Sequence, residues 1–165
     1  MQEVRYITTG NYRKKAHNDL AKEMKQGNSL AIAIAAAEME RYIPNNAVLV
    51  PMPSHQGFAT YTLELAKRIG ELTKAEICDT LKGRPRKSLY QLKKEGGNPR
   101  KAKFGFYLTD CIPSGKQIIV IDNVVATGAT AKAAASVLGD CVVFALADDG
   151  RAKKINGLKK LETIN

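Results

Sequence analysis

Residues 118–130, Ile118-Ile-Val-Ile-Asp122-Asn-Val-Val-Ala-Thr127-Gly-Ala-Thr130, constrain the fold of this chain more than any other segment. Four β-favouring aliphatics run into an acidic residue. Five residues later Thr-Gly-Ala-Thr opens the helix-favouring run Ala131-Lys-Ala-Ala-Ala. The pattern predicts a buried strand, a tight loop and a helix N-terminus. A loop in that place presents backbone N–H groups and the positive end of a helix dipole, which together suit a phosphate. Asp122 sits at the strand's carboxyl end, where ligands bind in open α/β sheets. The segment therefore points to a phosphorylated ligand with a hydroxyl-bearing part nearby.

The rest of the chain supplies elements of both kinds. The first forty-five residues read as helical. A modestly amphipathic helix is expected over 11–26 and is broken by Gly27-Asn-Ser29. A second helix, over 30–42, is N-capped by Asn28 or Ser29 and starts apolar on nearly all sides. Residues 47–50 read as a buried strand entering the loop Pro51-Met-Pro53, and 57–70 as a helix with Leu63, Leu65, Ala66 and Ile69 inward. Strands are expected over 75–81, 104–109 and 141–147, and a helix over 130–138 closed by Gly139. The breaker cluster Gly96-Gly-Asn-Pro99 argues for a flexible loop across 82–103. Strands alternating with helices predict an α/β fold, a parallel central sheet flanked by helices, with the helical N-terminal part as an accessory layer.

A length of 165 residues fits one domain with a core of its own. The longest apolar stretch, 30–37, is far too short to span a membrane. Cys78, Cys111 and Cys141 are widely spaced and form no Cys-x-x-Cys pair. They read as reduced, mostly buried thiols, and with no apolar leader-like run after Met1 a cytoplasmic protein is expected. Two histidines and no clustered thiols argue against a zinc site. The net charge of +10 calls for an anionic partner, a nucleic acid or a phosphorylated small molecule. Nine basic residues (Lys82, Arg84, Arg86, Lys87, Lys93, Lys94, Arg100, Lys101, Lys103) face one acid, Glu95, between 82 and 103. A second basic cluster, Arg151, Lys153, Lys154, Lys159 and Lys160, lies near the C-terminus.

The thirteen residues 118–130 resemble the phosphoribosyl-pyrophosphate (PRPP) motif of type I phosphoribosyltransferases, in which hydrophobic residues lead to two acids and a Thr-Gly-rich loop. The second acid is Asn123 here. Val50-Pro-Met-Pro53, the basic stretch with Gln91-Leu92, the aromatics Phe104 and Phe106, and the Asp122 motif follow in an order most similar to the ComF-like and amidophosphoribosyltransferase-like branch. That resemblance runs from about residue 46 to 147. The branch's Arg-x-x-Asn is replaced by Gly97-Asn-Pro-Arg100, and a preceding cysteine cluster is absent.

The resemblance implies a single phosphoribosyltransferase-like domain: a helical hood over 1–45, an α/β core over 46–150 and a basic tail over 151–165. It implies that Ala126, Thr127, Gly128, Ala129 and Thr130 hold the 5′-phosphate of PRPP. Met52, Ser54, His55 and Gln56 become candidates for pyrophosphate binding. Asp122 and Asn123 face the ribose, with Arg84, Arg86 and Lys87 on a mobile loop that neutralises the departing pyrophosphate. Magnesium is expected to arrive with the substrate, with no direct protein cage beyond a contact from Asp122. The partners implied are PRPP and a small nitrogenous acceptor, and a homodimer is in keeping with related folds. Asp148 and Asp149, at the exit of the last strand, read as a polar turn, or as contacts to an acceptor or to a metal-linked water. A non-catalytic PRPP sensor and a nucleic-acid-binding module are the alternatives. Loss of one carboxylate at Asn123 favours the first, and the charge favours the second.

Overall fold

The computed structural model describes residues 3–164. Its centre is a six-stranded sheet in which every pairing is parallel. In chain order the strands are β1 (Val4–Asn11), β2 (Ala47–Pro51), β3 (Glu76–Ile77), β4 (Leu81–Lys82), β5 (Tyr107–Leu108), β6 (Gln117–Val125), β7 (Cys141–Asp148) and β8 (Leu158–Lys160). The sheet order is β3-β2-β6-β7-β1-β8, and β4 and β5 form a separate antiparallel ribbon. The helices are α1 (Lys15–Lys25), α2 (Ser29–Met39), α3 (Tyr61–Thr73), α4 (Leu89–Lys94) and α5 (Ala129–Leu138). The expected α/β architecture, a parallel sheet flanked by helices, is therefore present, and it is consistent with the fold that the resemblance implies.

The central strands form for the reason their composition suggests. β2 and β7 are buried at every residue, because a parallel sheet with helices on both faces leaves no solvated side. On one face Ile7, Leu49, Ile119, Ile121, Val142, Phe144 and Leu146 pack under α1, α2 and α3. On the other, Val4, Tyr6, Val50, Val120, Val143 and Ala145 meet Ala131 and Ala134 of α5. Asn28 caps α2 by accepting from the Ala31 N–H at 3.1 Å, and Gly139 closes α5 at φ +79°. In α2 the side chains of Leu30 and Ile34 remain exposed, at 70% and 49%.

Several expectations are corrected. The N-terminus is not wholly helical, because β1 enters the sheet between β7 and β8. With β1 in the sheet, α1 and α2 pack on its face as the expected, mainly helical N-terminal layer. The basic tail carries β8, which pairs Val4 with Leu158 and Tyr6 with Lys160, an edge strand with a real partner. Residues 75–81 are not one strand: β3 ends on the main sheet and β4 starts the ribbon. The segment between β4 and β5 is an arm with a short helix α4, capped by Ser88 Oγ accepting from Gln91 N–H at 3.1 Å, and a 3₁₀ turn over Pro99–Lys101. Of the three thiols only Cys141 is buried, Cys111 being exposed. Among the described residues no helix is long and apolar enough to cross a membrane.

Asp148 at the end of β7 joins the last three strands of the sheet. Its carboxylate accepts from Thr8 Oγ1 on β1 at 2.6 Å, from Lys160 Nζ on β8 at 2.6 Å and from the Gly150 N–H at 2.9 Å. Burial pushes the Asp148 carboxyl up, but Lys160, Thr8 and Gly150 outweigh it and hold the group below the usual carboxylate range. A depressed folded value means that the stabilisation is present above the unfolded value of about 3.9 and is lost as pH falls through the folded one. Asp148→Asn is expected to cost about 2–4 kcal/mol at pH 7, because it strands a half-buried ammonium. Urea unfolding at pH 7 and pH 3 checks this. An equal loss at both pH values would mean that the charge is not what matters.

Candidate functional site

The site lies at the carboxyl ends of β2 and β6, which are neighbours in the sheet. Three segments meet there: the loop 52–60 after β2, the loop after β6, and the arm.

The loop after β6 follows from local chemistry. β6 carries Asp122 and Asn123 through to Val125, then Gly128 takes φ +77° and α5 begins at Ala129. A left-handed residue lets the chain reverse from strand to helix within three residues, and glycine adopts it without strain. The N-cap of α5, Gly128, has no side chain; Thr127 Oγ1 accepts from the Ala129 N–H at 3.4 Å, and the N–H groups that follow face the loop's own niche. That niche, about 60 Å³, is lined by all five predicted phosphate-binding residues, Ala126, Thr127, Gly128, Ala129 and Thr130, together with Asp122.

The loop after β2 is tied down at both ends. Met52 N–H donates to the Ile121 carbonyl of β6 at 2.9 Å, and Thr62 Oγ1 donates to the Met52 carbonyl at 2.6 Å. Ser54 Oγ accepts from the Gln56 N–H at 3.1 Å. The arm docks on this loop through two backbone bonds, Gly83 N–H to the Gly57 carbonyl and Arg86 N–H to the His55 carbonyl, both 2.8 Å. A Cβ on Gly57 would lie 2.4 Å from the Gly83 carbonyl oxygen, so the close approach requires glycine there. The Arg86 guanidinium lies over the Phe104 ring, 4.4 Å from its centroid, and burial lowers its pKa.

These segments enclose a cleft of about 410 Å³. Met52, Ser54, His55, Gln56, Arg86, Asp122, Asn123 and Thr130 all line it, and the adjoining niche adds Ala126, Thr127, Gly128 and Ala129, so nearly all of the predicted residues come together. Arg84 and Lys87 stand apart. Arg84 is exposed and runs along Gly105, while Lys87 pairs with Glu95 at 2.6 Å and faces a different cavity on the arm, with Lys101 and Lys103. Lys25 from α1 and Tyr61 from the first turn of α3 also line the cleft, and motif reasoning did not find them. Tyr61 opens the helix that follows the loop, a position from which it was recoverable. Lys25 carries no local signal, because its place depends on how α1 crosses the sheet.

The electrostatics centre on Asp122. Burial pushes its carboxyl up to about 6, against the Asn123 N–H that donates to Oδ1 at 2.8 Å and the charge of Lys25. The Tyr61 hydroxyl is pushed up by burial and then by Asp122. Among the described residues Asp122 is the one acidic side chain of the cleft, and Lys25 and Arg86 are cationic. Such a site favours a ligand with both phosphate and hydroxyl groups, and a positive charge developing beside Asp122 would be stabilised. No family model matches this chain, and no curated protein matches it.

Proposed function

We propose that this chain is a phosphoribosyltransferase of the type I kind, moving the phosphoribosyl group of PRPP to a nitrogen acceptor with release of pyrophosphate. One observation carries the reading: a phosphate-sized niche at the N-terminus of α5, where the N-cap Gly128 has no side chain, shares the buried carboxylate of Asp122 with a cleft walled by the loop 52–56. The resemblance of 118–130 to the PRPP motif supports it, and the order of segments supports the ComF-like and amidophosphoribosyltransferase-like branch.

In this reading the N–H groups of 126–130 hold the 5′-phosphate, and Thr127 and Thr130 add hydroxyl bonds. Asp122 accepts from the ribose hydroxyls and stabilises the cation-like ribose as the bond to pyrophosphate lengthens. Ser54, His55 and Gln56 meet the pyrophosphate from one side. Arg86, held over the cleft by Phe104 and by its bond to the loop, neutralises it from the other. The donor set fits magnesium brought in by the substrate. Among the described residues no group of three or more metal-type side chains exists, and Asp122 offers one carboxylate, leaving substrate and water oxygens to complete the shell. Bound in this way, the ion would neutralise charge on pyrophosphate.

Calorimetric titration of PRPP with magnesium is expected to give binding that Thr127→Ala combined with Asp122→Ala abolishes. No heat with the unsubstituted protein would sink the reading. A second reading, a PRPP sensor without turnover, is favoured by Asn123, which puts a neutral amide where the family carries an acid. Binding without pyrophosphate release across acceptors would select it.

A further inference from the structure

Beyond Asn123 the cleft continues into a second cavity of about 270 Å³, walled by Tyr12, Lys22, Lys25, Asn123, Asp149 and Arg151. Lys25, Asn123 and Val124 line both spaces, so a single ligand can reach from one into the other. The walls are unequally charged. Three cations face one carboxylate, and that carboxylate is already engaged: Asp149 accepts from Arg151 at 2.7 Å and 2.5 Å. Lys22 and Lys25, three residues apart in the last turn of α1, share one helix face. Neither ammonium group is ion-paired among the described residues. A small pocket walled by Lys22, which no carboxylate pairs, and by Lys25, whose charge also reaches Asp122, selects an anion.

We infer that the acceptor is a small nitrogen heterocycle bearing a carboxylate, its anion held by Lys22 and Lys25 and its reactive nitrogen turned toward the ribose beside Asp122 and Asn123. The inference rests on the PRPP reading of the cleft. A carboxylate gains charge-assisted bonds from the lysines that a neutral ring does not. In the transfer the nitrogen lone pair forms the bond to ribose C1 as the C1–O bond breaks. The electron pair of that bond leaves with pyrophosphate, and a proton on the nitrogen, where there is one, passes to water.

Matched pairs of acceptors test this: orotate against uracil, and nicotinate against nicotinamide, each with PRPP and magnesium, followed by pyrophosphate release. At least one acid member is expected to exceed its neutral partner in kcat/KM by about 10- to 100-fold. Lys22→Met is expected to remove most of that preference through KM for the acid, and Lys22→Arg to restore it. Equal or better use of the neutral members overturns the inference, as does an acid preference that Lys22→Met leaves unchanged. PRPP heat measured in parallel keeps the two readings apart. PRPP bound with no acid member turned over overturns the acceptor class alone, whereas no PRPP binding removes the cleft reading beneath it.

Discussion

Asp122→Asn is expected to cut pyrophosphate release by about 10²–10³-fold while making the free protein more stable at pH 8. The two effects share one cause. The carboxyl of Asp122 is buried and raised to about 6, with the hydrogen bond from the Asn123 N–H and the nearby charge of Lys25 offsetting burial only in part. A folded value above the unfolded one of about 3.9 means that the protonated form fits the fold better. Its contribution to stability is full below pH 4 and is lost as pH rises through about 6. Above that, the ionised group costs on the order of 2–3 kcal/mol, which an amide of the same shape does not. The Asn variant is therefore expected to match the parent near pH 4 and exceed it at pH 8, with turnover lost. Urea unfolding at the two pH values, beside a pyrophosphate assay, checks both halves. A variant less stable than the parent at pH 8 would mark Asp122 as a structural carboxylate and remove it from the ribose site.

Gly128→Ala is expected to abolish PRPP binding, raising Kd at least about 100-fold, and to cost roughly 2–3 kcal/mol of stability. The residue sits at φ +77°, where a side chain is strained by about 1–2 kcal/mol. An added Cβ would also lie 2.1 Å from Leu158 Cδ1 of β8. Leu158 can turn part of the way, but it is buried, and its movement or that of the loop reshapes a niche of only about 60 Å³. Gly139 supplies the control. It lies at φ +79° with nothing within 4 Å of an added Cβ, at the opposite end of α5. Gly139→Ala is expected to lower the melting temperature yet leave the PRPP titration as it was. Unchanged PRPP affinity in Gly128→Ala would show that the phosphate does not bind at 126–130.

Much of the site is legible along the chain because its parts are local. Asp122, the Gly128 turn and the start of α5 fall within eight residues, so strand end, loop and helix N-terminus are set by neighbours in sequence. Met52, Ser54, His55 and Gln56 reach the cleft because β2 ends beside β6, which follows once both are recognised as parallel core strands. The arm is only partly legible. Its charge and breakers mark an excursion, but whether a given cation faces the cleft depends on how the ribbon leaves the sheet. Arg86 faces it because its backbone is bonded to His55, while Arg84 and Lys87, one or two positions away, do not line it.

The sequence alone determined the strands built on continuous apolar runs, β2, β6 and β7, and the helices with a sided apolar pattern, because burial on both faces of a parallel sheet leaves that signature in composition. Only the tertiary structure decided that Val4–Asn11, with Arg5, Thr8 and Thr9 among its residues, is a strand and not part of a helical segment. Its partners lie far along the chain: Thr8 meets Asp148 across 140 positions, and β8 covers its other side. It likewise decided that Lys25 and Tyr61 share a cleft with Asp122. Parallel pairing and helix packing join residues that no local window contains, so the energies that select these placements exist only once the sheet has closed around them.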